Sequence, residues 1–499
     1  MLNVLLEGIQ SVASNPQVFL VMIFGIFFGI IFGCIPGLTA TLGVILLIPV
    51  TYSMDPILGI SMLISIYVGG ISGGLITATL LNIPGTPSSI FTCWDAYPMA
   101  KGGKPGLALS IGVFASLIGG IFSALALILI APQLAKFGLM FGNWEFFGLA
   151  FLAMCVVAVT TEGDTLKNYI GLTFGLILGA IGIDSITGLE RLTFGSWQLT
   201  SGISSTALMM GLYAIGEIMS QTSELGSIKE PISIKDMTFK PPIKELKGTW
   251  RTMLTGSIVG TFVGILPAVG QQTAALMTYN EAKGRSKEPE KFGTGYAEGI
   301  VASEASNNAV CGGAIIPLIT LGIPGDMTTA ALIGGLMIHG LQPGPLLFKT
   351  DANIVGAIMV VYLLSNIIMY FMELGLMRAF VRMINVPKSI LFPTIILSCI
   401  MGSLTLNNRV FDVWVLIAFG VIGVLFMKSK VPLSPIIMGF LMGPLLEKNF
   451  RRAIISANGN FGDILNRPIA CILVLAGFMF VIWPLLSRLF SKKGKVMKA

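Results

Sequence analysis

The sequence predicts an all-α, polytopic membrane protein with roughly twelve membrane elements. Three observations predict it. Charged residues make up only 11% of the 499-residue chain, against about 25% in soluble domains, and mean hydropathy is +0.86. Residues 8–54 and 56–94 contain no charged side chain, and each run far exceeds the ~20 residues that cross a bilayer once. Runs such as FLVMIFGIFFGIIF (19–32) are apolar on every side, whereas strands of an outer-membrane barrel alternate.

Taken in order, a short amphipathic start (2–14) is followed by apolar runs near 17–54, 56–92, 107–135, 144–161, 168–183 and 202–220. A polar segment at 224–249 cannot be buried in lipid and divides a first half (1–223) from a second (250–499). Further apolar runs lie near 252–279, 299–325, 327–348, 352–377, 389–406, 411–427, 432–446 and 468–487. The 31 basic residues against 24 acidic ones give a charge of +7. In a membrane protein that excess marks cytoplasmic loops rather than a nucleic-acid partner, and the basic tail SKKGKVMK (491–498) is expected in the cytoplasm. The N-terminus lacks a basic leader and an A-x-A site, so no cleaved signal is expected. Six cysteines without CxxC spacing read as small buried hydrophobes. The glycines at 171, 175 and 179 signal close helix packing.

The halves are similar to each other. Gly25, Gly29, Gly33 and Pro36 find counterparts 231 positions on, at Gly256, Gly260, Gly264 and Pro267. GGLITATLLNIPG from Gly73 matches GAIIPLITLGIPG from Gly313, 240 positions on. Two motifs recurring in one order predict two related halves. Loop charge leaves open whether the repeats are parallel or inverted, and inversion is favoured. The basic loops at 227–251 and 281–291 flank 252–279, which is expected to enter and return as a hairpin turning near Pro267–Gly270.

Helix breaks are expected at Pro36–Gly37, Pro84–Gly85, Pro267–Gly270 and Pro324–Gly325. In lipid such a break frees backbone N–H groups that bind anions and carbonyls that bind cations, and paired breaks in repeated halves point to a carrier's site. Substrate is therefore expected between Asn82–Ser89 (with Asn82, Pro84, Gly85, Thr86 and Ser88) and Gly322–Thr329 (with Gly325, Asp326 and Thr328). Thr86 and Asp326 are placed to cap the helices that follow. Upstream of the second break, Glu304 and Asn308 share a helical face, and Asn307 adjoins them. Intramembrane carboxylates and amides are costly unless used, so Glu304, Asn308 and Asp326 are candidates for coupling a cation. Glu298 is read as a water-interface residue and His339 as a helix or interface residue. The stretch WDAYPMAKGGKPG (94–106), with Asp95, reads as a solvated Gly-rich connector. Enzymatic chemistry has no anchor here: the sequence contains no serine–histidine–acid set, phosphate loop or metal-ligand spacing. A channel or pore-type subunit is the alternative to a carrier, since it too can use re-entrant loops.

GIIFGCIPGLTA (29–40), LLNIPGTPSS (80–89), DAYPMAKGG (95–103), EASNNAVCGGAIIPLITLGIPG (304–325) and HGLQPGP (339–345) resemble the large permease subunit, TctA type, of the tripartite tricarboxylate transporters. The resemblance runs by motif from about residue 17 to residue 348. It implies a multi-pass secondary transporter of the bacterial inner membrane that imports citrate or another small carboxylate. It also implies a small membrane subunit, a periplasmic solute-binding protein and a Na+ or H+ gradient as driving force. The family's Asn-Pro-Gly and Ser-Asn-Asn regions carry over to Asn82, Pro84 and Gly85, and to Ser306, Asn307 and Asn308. Ala96 and the pair Ile71–Ser72 depart from the family pattern and bear on substrate identity. By fold analogy, an elevator-type motion is expected.

Overall fold

Polar caps followed by proline set where several helices begin. Asn15 accepts from the Gln17 N–H at 3.1 Å ahead of Pro16, and Asp55 accepts from the Ile57 N–H at 3.0 Å ahead of Pro56. Each cap satisfies an N–H that the first turn leaves free, and proline has none to lose there. The computed structural model describes residues 2–161, 163–221, 242–267, 269–384 and 386–496. The first half holds α1 (Leu2–Ala13), α2 (Pro16–Cys34), α3 (Ala40–Thr51), α4 (Pro56–Leu81), α5 (Ile90–Lys101), α6 (Pro105–Gly138), α7 (Asn143–Thr160), α8 (Thr165–Gly179), α9 (Ser205–Met209) and α10 (Gly216–Gln221). The second holds α11 (Trp250–Ile265), α12 (Gly270–Arg285), α13 (Ala297–Leu321), α14 (Met327–Ile338), α15 (Leu347–Thr350), α16 (Ala352–Met383), α17 (Lys388–Asn407), α18 (Val410–Lys428), α19 (Leu433–Ser456) and α20 (Pro468–Val496).

Seven helices among the described residues are long and apolar enough to cross a membrane: α2, α4, α6, α7, α16, α17 and α18. The chain is thus an all-α polytopic membrane protein apart from a small ribbon at 182–191. The 25-residue α13 falls outside the seven because Glu304, Asn307 and Asn308 lower its hydropathy. The expected loop at 224–249 lies outside the described residues except for 242–249, which are turns.

The two most enclosed helices are α4, buried throughout Gly59–Leu81, and α13, buried throughout Gly299–Thr320. Each is flanked by a helical hairpin: α2 and α3 pack on α4, and α11 and α12 pack on α13. Residues 250–285 form a helical hairpin, with the turn between Ile265 and Gly270 and the ends of both arms meeting where Arg285 Nη2 donates to Thr252 Oγ1 at 2.7 Å.

Glycine makes these pairings possible. A Cβ added at Gly29 would lie 2.5 Å from the Ile66 carbonyl oxygen, and one at Gly33 2.2 Å from that of Gly70. In the second half, one at Gly260 would lie 2.3 Å from the Ser306 oxygen, and one at Gly264 2.4 Å from that of Val310. Chain direction then separates the two assemblies. Gly59, near the start of α4, adjoins Thr51 and His339, at the end of α14. Gly295, just before α13, adjoins Met99 near the end of α5. The two central helices therefore begin at opposite ends of the bundle.

Outside the helices, Gly182–Ile183 and Glu190–Arg191 form an antiparallel ribbon. It is tied to α19 by Arg451–Asp184 and Arg191–Glu447 ion pairs, each at 2.6 Å. The backbone N–H of Ile186 and the Arg451 guanidinium hold the Asp184 carboxyl below the ordinary aspartate value.

Gly85→Ala and Gly325→Ala should each destabilise the protein by about 1–3 kcal/mol through overpacking, because an added Cβ would lie 2.3 and 2.4 Å from the carbonyl oxygens of Gly33 and Gly264. Thermal melts in detergent read this, with Gly284→Ala, whose methyl meets nothing within 4 Å, as the unchanged control. The Asp184 tie is fully present above the unfolded aspartate value of about 4 and is lost as pH falls through the lower folded value. Asp184→Asn should therefore lower the melting temperature at neutral pH, and the gap from wild type should close on acidification.

Candidate functional site

Both predicted breaks take the same backbone form. Asn82 ends α4 at φ 57° and Gly322 ends α13 at φ 72°, each in the left-handed region. The Asn82 N–H donates to the Thr77 carbonyl and the Gly322 N–H to that of Pro317, and the next residue's N–H reaches the same oxygen, Ile83 at 3.4 Å and Ile323 at 3.3 Å, so each left-handed cap closes over the last turns of its helix. After each cap the chain folds back on the bundle, so that Gly85 meets Gly33 and Gly325 meets Gly264. Asn82, expected among the substrate contacts, is exposed and has a backbone role at this cap. Gly85 and Gly325 are there because backbones approach closely.

The segments after the breaks differ. Thr86 stands ahead of a single 3-10 turn (Pro87–Ser89) that leads into α5, and its hydroxyl makes no cap bond to backbone. It bonds instead to the hydroxyls of Ser88 at 3.1 Å and Ser89 at 2.6 Å. Asp326 does cap α14: it accepts from the Thr329 N–H at 2.7 Å, while the Asp326 N–H donates to Thr329 Oγ1 at 2.9 Å. The Asp326 carboxylate also accepts from the Tyr67 hydroxyl and from Gln271 Nε2, the latter at 2.8 Å. Thr328 bonds to Thr41 at 2.8 Å. The second break thus joins both hairpins, with Thr41 opening α3 and Gln271 opening α12.

The α13 amides connect to the first break. Ser88 Oγ donates to Asn307 Oδ1 at 2.7 Å. The Nδ2 of Asn307, which is 1% exposed, has no hydrogen-bond partner among the described residues. Turning the amide over would only exchange which of its two heteroatoms is unpaired. One turn away, Glu304 Oε1 accepts from Thr92 Oγ1 at 2.5 Å and Oε2 from Ser116 Oγ at 3.0 Å. Asn308 Nδ2 donates to the same Ser116 hydroxyl at 2.7 Å. No ion pair among the described residues includes Glu304 or Asp326. Ser306 turns its hydroxyl to its own helix, donating to the Ala302 carbonyl at 2.8 Å. A cavity of about 510 Å3, lined by Tyr52, Ser204, Met337, Asn407 and Arg409 among others, opens at the end of the bundle where α4 begins. None of the predicted site residues lines it.

One sequence reading is overturned. The stretch 94–106 is no solvated connector: it is mostly the helix α5, and Asp95 is buried. Asp95 Oδ1 accepts from the backbone N–H groups of Gly293, Gly295 and Tyr296 at 2.9, 3.0 and 2.7 Å, and Oδ2 accepts from the Tyr279 hydroxyl at 2.7 Å. Glycines on both sides hid this helix from the sequence. Tyr67, Gln271 and Glu373 were also missed; Glu373 lies in an apolar stretch and is fully buried. Glu298, in the first turn of α13, accepts from Thr252 Oγ1 on α11 at 2.5 Å, and His339 follows the last turn of α14.

A family model described as the tripartite tricarboxylate transporter TctA family matches residues 19–438. An uncharacterized 52.8 kDa protein of the TAR-I ttuC' 3' region of Agrobacterium vitis is 34% identical over 461 residues, 92% of each chain. An uncharacterized protein of the TAR-II ttuC' 3' region of the same organism is 33% identical over 237 residues, 48% of this chain and 98% of that one. No solved structure matches the chain.

Asn82→Gly should leave the melting temperature unchanged, since glycine accepts φ 57°, whereas Asn82→Val should cost about 1–2 kcal/mol for a left-handed β-branched residue. Thermal melts of the two variants measure the difference.

Proposed function

The chain belongs to the tripartite tricarboxylate transporter TctA family, and we propose that it imports a small di- or tricarboxylate by cation-coupled alternating access. Membership makes it the large membrane subunit of a tripartite system, in a family of transporters rather than enzymes. In our reading it receives its substrate from a periplasmic binding protein, works beside a small membrane subunit, and keeps its basic tail in the cytoplasm.

The observation that carries the substrate site is the joint between Ser88 and Asn307. There a buried amide nitrogen has a free hydrogen-bonding position beside three hydroxyls, those of Thr86, Ser88 and Ser89. Neutral donors of this kind bind a carboxylate without the fixed positive charge that would oppose its release. Pro84, Gly85 and Asn82 shape the backbone of this site, while Gly325, Asp326 and Thr328 shape its counterpart. Ser306 contributes helix packing. Glu304 with Asn308, and Asp326, neither carboxylate ion-paired, are the groups proposed to answer the coupling cation, Na+ or H+.

The halves are proposed to be inverted repeats. Three findings support this: equivalent glycines meeting equivalent carbonyls, two left-handed caps of one form, and central helices that begin at opposite ends of the bundle. Such repeats can exchange conformations to expose one site to either side in turn.

Ser88→Ala and Asn307→Ala should each reduce uptake of the transported carboxylate by about 5- to 150-fold, corresponding to the roughly 1–3 kcal/mol lost when a buried polar partner is removed. Radiolabelled uptake by vesicles containing all three components measures this. A panel of citrate, succinate, malate and tartrate identifies the substrate, and wild-type uptake that neither saturates nor needs a gradient would overturn the carrier reading.

A further inference from the structure

Glu373 is a fully buried carboxylate in the middle of α16 that the substrate site does not use. Its Oε2 accepts from Ser72 Oγ at 2.7 Å, and its Oε1 has no hydrogen-bond partner among the described residues. None of the ion pairs among the described residues includes it. An ionised carboxylate so placed in a membrane protein is costly unless a cation or proton neutralises it.

The surroundings decide between the two. Ser72 and Glu373 both lie inside unbroken helices, Pro56–Leu81 and Ala352–Met383, whose carbonyls are engaged in helical hydrogen bonds. One hydroxyl and one carboxylate cannot supply the six or so oxygens that a hard cation takes. A proton needs only Oε1.

The elements packed against α16 are α1, α2, α4, α6 and α15. Their titratable groups are Glu7 of α1, Cys34 of α2, Tyr67 of α4, Lys136 near the end of α6 and Lys349 of α15. Of these, Cys34 interacts electrostatically with Glu373, as does Glu304 of α13. Neither group supplies positive charge.

Glu373 also adjoins the first break through α4. Ser72 is two residues from Gly74, where an added Cβ would lie 2.6 Å from Ser89 Oγ and 2.9 Å from Thr86 Oγ1. The stretch of α4 that Glu373 holds is therefore the floor beneath the hydroxyls of that break.

We propose that Glu373 carries the coupling proton, taking it onto Oε1 from water on one side of the membrane and returning it to water on the other. This rests on the carrier reading above and narrows it: the coupling ion is H+, and Glu373 takes the role that reading gave to Glu304 and Asp326. The change in charge alters the bond to Ser72, and so the floor of the break where the carboxylate is proposed to bind.

Infrared difference spectra of wild-type minus Glu373→Gln protein in lipid at neutral pH should contain one protonated-carboxyl C=O band that moves on 13C-glutamate labelling. Ser72→Ala should raise the frequency of that band by removing its hydrogen-bond donor, which identifies it even if Glu373→Gln fails to fold. In proteoliposomes with the small subunit and the binding protein, a pH gradient should drive accumulation of radiolabelled citrate by wild type and Glu373→Asp, and not by Glu373→Gln. Absence of the band, or accumulation by Glu373→Gln, overturns the proposal. Failure of wild type itself to move citrate, or succinate, malate or tartrate in its place, counts against the substrate class proposed above, and the infrared band then decides the role of Glu373 alone.

Discussion

In hydrocarbon every backbone N–H and C=O must find a partner within the protein, and the two Pro-Gly breaks are where this chain meets that demand with most difficulty. It does so by folding each broken end back on itself. A left-handed cap closes α4 and another closes α13, and each returning strand lies against the tip of a helical hairpin. The glycine rows on α2, α4, α11 and α13 follow from this. Without a Cβ at Gly33 or Gly264 the hairpin tips can approach the breaks closely enough to cover them. Small residues are thus the means by which irregular backbone is kept out of lipid.

The same closeness concentrates polar side chains. Once backbone groups are paired among themselves, the remaining hydroxyls, amides and carboxylates have only one another. Ser88 turns to Asn307, Thr92 and Ser116 to Glu304, and Tyr67 and Gln271 to Asp326. All of these bonds but Ser116–Glu304, which ties α6 to α13, join a broken segment, or the helix after it, to a helix distant in sequence. The groups at the first break itself are neutral, with Glu304 one turn away, whereas those at the second surround the Asp326 carboxylate. That chemical difference sits on backbones of nearly one form.

Much of this was legible in the sequence because it depends on local rules. Long charge-free runs read as membrane helices, Pro-Gly interrupts them, and recurring glycine spacing marks where helices pack closely. The caps were partly legible: Asp326 does what an N-cap aspartate should, while Thr86 bonds to neighbouring serines instead. Long-range partners left no such trace. Tyr67 and Glu373 lie in mostly apolar helices, and their importance comes from Asp326 and Ser72, 259 and 301 residues away. Asp95 was misread for a related reason: its three backbone donors, the N–H groups of Gly293, Gly295 and Tyr296, are some two hundred residues from it.

That misread aspartate has a mechanical consequence. Asp95 fastens α5 to the loop that leads into α13, while Ser88, about 10 Å away at a helical rise of 1.5 Å per residue, meets Asn307 on α13 itself. A short lever is therefore pinned at one end and held toward the other by two hydroxyls, those of Thr92 and Ser88. If the lever turns, its free end sweeps an arc centred on Asp95, and the break opens from the serines while the pin stays in place. The strongly held end and the weakly held end of one small helix then divide the labour of staying attached and letting go.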